Sequence, residues 1–131
     1  MLHAHRIVAL LLICASPAGA ADYRPLGADE NLQALDALCA RLAEAPEAAT
    51  LPGFNAERTR IERINCAAWE QVKRGEPVGA IVALEALTAA GLATPDDDAA
   101  VRALDSAGAM LQRIGEPQRA AEVHAQALER S

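Results

Sequence analysis

Gly75-Glu76-Pro77 and Gly115-Glu116-Pro117 are the same tripeptide written twice, 40 residues apart. Each copy is followed at the same distance by an alanine, Ala80 and Ala120. Each lies between segments whose apolar residues recur at three and four residues. Glycine ends a helix well because it enters the left-handed backbone region without a Cβ clash. Proline begins the next helix well, because the N–H it lacks has no intrahelical acceptor there. The tripeptide therefore encodes a helix, a sharp corner and a second helix. Two such corners at a fixed interval predict stacked helical hairpins sharing one apolar seam.

Periodicity and caps place five helices around these corners. Asp29 is the expected cap of a helix over about 30–45, whose apolar face is Leu32, Leu35, Leu38, Cys39 and Leu42. A loop containing Pro46, Pro52 and Gly53 follows. Asn55 caps the next helix, 56–74, with Ile61, Ile64, Ala68 and Val72 as its core stripe. Its other faces carry Glu57, Arg58, Glu62, Arg63, Glu70 and Arg74, with Arg58–Glu62 and Glu70–Arg74 at ion-pair spacing. The third helix, 77 to about 90, is expected to bury Val78, Ile81, Leu84 and Leu87 and to stop at Gly91, with Leu92 folding back. Thr94 is read as the cap of a helix over 95–114, with Pro95 at its first position and Asp97 returning a capping-box bond. Its inner face is Val101, Leu104, Gly108 and Leu111. The last helix, 117–130, turns Ala120, Val123, His124, Ala127 and Leu128 inward. No segment alternates in the manner of a strand. The expected fold is all-α: a short stack of antiparallel helical hairpins with the first helix capping it, all within one domain over 29–131.

The N-terminus reads as an export signal. His3, His5 and Arg6 form a weakly basic start, Ile7 to Ala15 is an apolar run, and Ala18-Gly19-Ala20 supplies small residues for cleavage. The run is far shorter than the roughly 20 residues of a spanning helix. The other reading is an uncleaved anchor. Cleavage would leave residues 21–28 as an extended leader. Without Arg6 the chain carries 11 basic against 18 acidic residues, a net charge of −7. Such a surface repels nucleic acid and anionic membranes. The basic residues are arginines except for Lys73, a bias that fits a GC-rich Gram-negative bacterium and its periplasm. Aromatic residues make up 2% of the chain, so the core must be built from Ala, Leu, Ile and Val, each burying modest area. Cys39 and Cys66 remain after cleavage, and an even count in an exported chain predicts a disulfide. It would close a loop of about 28 residues and stabilise by roughly 3.5 kcal/mol in the chain-entropy model.

Laid on the tetratricopeptide pattern, residues 61–131 resemble that family. Leu104, Ala107-Gly108 and Leu111 stand at the first-helix contact positions of the last repeat; Gly115-Glu116 stand at its turn; Ala120, His124 and Ala127 stand at the second-helix positions. In the earlier hairpin Ile64, Ala67-Ala68, Gly75, Ala80 and Leu84 match, whereas Gln71 and Leu87 depart from the pattern. The period is 40 instead of 34, with the excess in Gly91 to Asp98. The resemblance implies about two repeats, with helices 56–74 and 95–114 lining a groove and helices 77–90 and 117–130 behind them. It also implies capture of a protein or peptide without turnover.

Catalytic parts are scarce. His124 is the sole histidine after residue 20, Ser106 and Ser131 are the serines there, and no phosphate-binding glycine loop occurs. Asp96, Asp97 and Asp98 sit where carboxylates favour a helix start. The sequence names no catalytic residue, cofactor or metal ligand. Trp69 is either packed over the disulfide or set at the rim of a groove, where Trp often anchors a partner. Arg63, Glu70 and Arg74 join it as candidate partner-binding residues. The expected function is that of an exported, periplasmic protein–protein interaction module, a non-catalytic adaptor without nucleic-acid binding or stable membrane insertion. The rival readings are a structural or homo-oligomeric bundle and a subunit of an envelope enzyme.

Overall fold

Five helices and no strand make up the described residues, 28–45 and 50–131 of a computed structural model. The expected export signal (1–20), positions 21–27 of the leader and positions 46–49 of the loop lie outside the described residues. The helices are α1 (Ala28–Ala43), α2 (Ala56–Arg74), α3 (Pro77–Ala93), α4 (Asp97–Arg113) and α5 (Pro117–Arg130). Both Gly-Glu-Pro tripeptides are corners. Gly75 and Gly115 take φ of 75° and 84°, and Pro77 and Pro117 open α3 and α5. At the second corner the Glu116 N–H bonds the Leu111 carbonyl at 2.8 Å, the long bond of a Schellman ending.

α4 is the hub. It packs against α1, α2, α3 and α5, and α2 packs against α1 and α3. One helix can touch four others only if its side chains are short. Ala99, Ala100, Ala103, Ser106, Ala107, Gly108 and Ala109 are all buried, with Leu104, Met110 and Leu111 filling the wider gaps. Two close approaches are legible at glycines. A Cβ on Gly91 of α3 would lie 3.0 Å from that of Ala103, and a Cβ on Gly108 would collide with the His124 ring of α5.

α2 and α4 lie side by side, parallel and in register. Asn55 and Asp96 are their N-caps: Asn55 Oδ1 accepts from the Arg58 N–H and Asp96 Oδ1 from the Ala99 N–H. The two caps also bond each other, Asn55 Nδ2 donating to Asp96 Oδ2 at 2.9 Å. About two and three turns further along, Arg102 Nε donates to Glu62 Oε2 at 2.8 Å and Asn65 Nδ2 to Ser106 Oγ at 3.0 Å. All three cross-links join residues 40 or 41 apart. A one-turn slip would take from the fully buried Glu62 carboxylate its hydrogen-bonded partner Arg102, leaving it only the longer contact to Arg58 of its own helix, so these contacts fix the register.

Several expected details change. α1 begins at Ala28, so Asp29 belongs to its first turn and is not the cap. α3 does not stop at Gly91; it continues to Ala93, because Gly91 serves close packing and not a left-handed turn. The helix ends where Pro95 forces Thr94 to extended backbone (φ −71°, ψ 139°). Asp96, not Thr94, caps α4, and Pro95 stays outside it. Buried Thr94 instead donates to Glu57 Oε2 at 2.7 Å. Asp97 accepts from Arg130 Nε at 2.8 Å, tying the end of α5 to the start of α4. Leu92 and Val78 are exposed, and Glu62 is buried.

Two predictions follow from this packing. Gly108→Ala, which in an open helix would gain about 1 kcal/mol, should instead lose about 1–3 kcal/mol by overpacking. In a His124→Ala background the loss should vanish, so a double-mutant cycle in urea reads the clash directly. The second concerns acid. Hydrogen bonds from Arg60 and Thr94 hold Glu57 down to about 2, and bonds from Asn55 and the Ala99 N–H lower Asp96. The unfolded chain therefore binds more protons than the folded one just below ordinary carboxylate values. Stability should be full near neutrality and fall as pH drops from about 5 towards 2. Urea midpoints across that range test this, and Thr94→Val should flatten the dependence.

Candidate functional site

The two broad faces of the stack differ. On one side α3 and α5 flank a groove of about 600 Å³. Its floor is Leu84, Leu111 and Val123, all buried, with Ile81 beside them. Its polar groups stand at the rim: Glu85 and Thr88 on α3, Arg119, Glu122 and Gln126 on α5. The Thr88 hydroxyl is committed to its own helix, donating to the Leu84 carbonyl at 2.8 Å, and Arg119 leans on Glu116 at 3.7 Å. Leu92 closes one end and is 46% exposed. An apolar trough with polar edges suits the apolar face of a helix. It presents no polar group on its floor to act on a reacting atom.

On the other side α1 lies over α2 and α4. That is the face the family resemblance assigns to a groove, and here the chain's own helix fills it. α1 presents Asn31, Leu32, Leu35, Leu38 and Leu42, all buried, at helical spacing. The Cys39–Cys66 disulfide joins it to α2, with Cα atoms 5.6 Å apart. Further along, Trp69 of α2 is 5% exposed and its Nε1 donates to Asp36 Oδ1 of α1 at 2.9 Å. Lys73 Nζ reaches the same oxygen at 3.2 Å and Glu70 at 3.3 Å. The two bonds from Trp69 and Lys73 lower the Asp36 pKa. Lys73 and Arg113 both lie over the indole, 5.5 and 5.8 Å from its centroid. Trp69 thus works as a clasp for α1.

The candidate partner-binding residues do not form one site. Trp69 borders a small polar pocket with Asp29, Gln33, Lys73 and Arg113. Arg63 and Glu70 border a second one beside the disulfide. Arg74 is exposed at the end of α2 and borders neither. Glu70 pairs with Lys73, one residue short of the expected Arg74. His124 rests against Gly108, with Nδ1 3.4 Å from Asp105 Oδ1, a packing role. Glu62, read from the sequence as a surface ion-pair residue, is instead buried in one polar cluster with Asn65 and Ser106. Asn65 Nδ2 bonds both others, and Arg102 and Arg58 close on Glu62 at 2.8 and 3.6 Å. Its bonds run between α2 and α4, and it holds no nucleophile–base pair. The sequence reading also missed the α3–α5 groove. Its signal was α3 itself, which carries one charged residue, Glu85, in seventeen.

No family model, curated protein or solved structure matches this chain. Among the described residues no cluster of His, Cys, Asp or Glu fits a metal ion, and no helix is long and apolar enough to cross a membrane.

Because α1 is held by one covalent bond and one indole clasp, the two are separable. Cys39→Ser with Cys66→Ser should cost roughly 3.5 kcal/mol in urea unfolding. It should also shift Trp69 emission to the red as α1 lifts. Unchanged emission with unchanged stability would show that the bridge carries no load.

Proposed function

We propose that this chain is a small exported adaptor of tetratricopeptide-like build, working in the periplasm by binding another protein without turnover. Three things support the reading. The two Gly-Glu-Pro corners relate two helical hairpins at 40 residues, with α2 beside α4 in register. The disulfide suits an oxidising compartment. The apolar groove between α3 and α5 is the observation that carries the function. The face opposite is already filled by α1, so docking is assigned to the α3–α5 side and not to Trp69, Arg63, Glu70 and Arg74.

A photo-crosslinking amino acid tests this in envelope preparations. Placed at Ala89, on the groove, it should give a discrete protein adduct. Placed at Ala40, exposed on α1, it should give none. Leu92→Asp should remove the Ala89 adduct. Equal adducts from both positions, or none from Ala89, would refute the assignment. Export has its own test: mass spectrometry of the periplasmic fraction should find a chain beginning at Ala21, and a chain starting at Met1 in the cytoplasm would contradict it.

A further inference from the structure

α3 is apolar on every side, yet among the described residues it packs on one side only, against α2 and α4. Helices of that composition are ordinarily buried all round. Here Val78 is 78% exposed, Val82 60% and Leu92 46%. With Glu85 and Ala89, also exposed, they form a row along the helix: 78, 82, 85, 89, 92. The intervals are four, three, four, three, the spacing that keeps one stripe facing a partner helix. The stripe borders the groove at Glu85, Ala89 and Leu92. Its one charge, Glu85, stands at its midpoint, and no described residue pairs with it.

We propose that this stripe receives a basic amphipathic helix, one whose apolar face carries a lysine or arginine where it crosses Glu85. The proposal rests on the reading of the α3–α5 side as the docking face and adds the partner's chemistry. Charge decides between occupants. A second copy is the obvious candidate for an exposed apolar stripe. However, the ends of the row, Val78 and Leu92, each lie seven residues from Glu85, so an antiparallel pairing of two α3 helices end over end sets Glu85 against Glu85 of the second copy. Two unpaired carboxylates at the centre of a seam repel and are costly to desolvate. The chain's net charge of −6 adds repulsion between copies. Glu122 on the far rim of the groove, with Arg119 already leaning on Glu116, gives an incoming helix more negative than positive charge to meet. A basic partner turns the same carboxylate into the selecting contact.

Two synthetic helices of about 18 residues, long enough to run along α3, provide the probe. Both carry leucines at three- and four-residue spacing, with a single central lysine in one and glutamate in the other. Fluorescence anisotropy should show the lysine peptide binding about tenfold more tightly, with the difference shrinking as salt rises. Glu85→Lys should reverse the order, and Val82→Asp should abolish binding of both. These positions are exposed, so circular dichroism should show both variants folded. If Val82→Asp abolishes binding while Glu85→Lys leaves the order unchanged, the face stands and the basic partner is wrong. If binding survives Val82→Asp, or neither peptide binds, face and partner both fall. A native dimer in sedimentation equilibrium that Val82→Asp dissolves would assign the stripe to a second copy and overturn the proposal.

Discussion

The stack depends on the thinness of α4. Four neighbouring helices reach its axis because most of its buried positions hold alanine, glycine or serine. Small side chains bury little area, so each contact stabilises weakly. The compensation is closeness, since dispersion falls steeply with any gap. This explains why a chain with almost no aromatic residues still builds a continuous core, and why a methyl group would collide at Gly108 and press its neighbours apart at Gly91.

Thin cores specify register poorly, because alanines slide past one another without much penalty. The polar cross-links between α2 and α4 answer that weakness. Glu62 and Asn65 have no exposure, and their own helix satisfies them only in part, through Arg58 and their mutual bond; Arg102 and Ser106 of α4 add the cross-helix partners. The paired caps Asn55 and Asp96 do the same at the helix starts, where the amide serves its own helix with one atom and the neighbouring cap with the other. α1 is registered differently, by a covalent bond at one end and a shared carboxylate at the other.

What was legible in the sequence was local. The corners at Gly75 and Gly115, the cap at Asn55 and the bounds of α2 and α5 all follow from backbone chemistry over a few residues. The pairing of Cys39 with Cys66 follows from the even cysteine count left by the expected export signal. What was not legible depended on neighbours distant in sequence. Gly91 looks like a stop signal until Ala103 is known to press against it. Glu62 looks like a solvent charge until α4 brings Arg102 to it. Val78 fits a buried stripe by spacing, yet no element among the described residues covers that side of α3. The site suffered most: helical spacing leaves Trp69 either over the disulfide or at a groove rim, and its burial is decided by α1, through Asp36.

The clasp has one further consequence. Lys73 is the chain's sole lysine, and its ammonium sits between Asp36 and Glu70 above the indole. Apart from the N-terminus, an acylating reagent has a single amine to find, and its reactivity depends on whether that nitrogen is engaged. The molecule thus carries a native chemical reporter, at one defined point, for whether its first helix is seated or lifted.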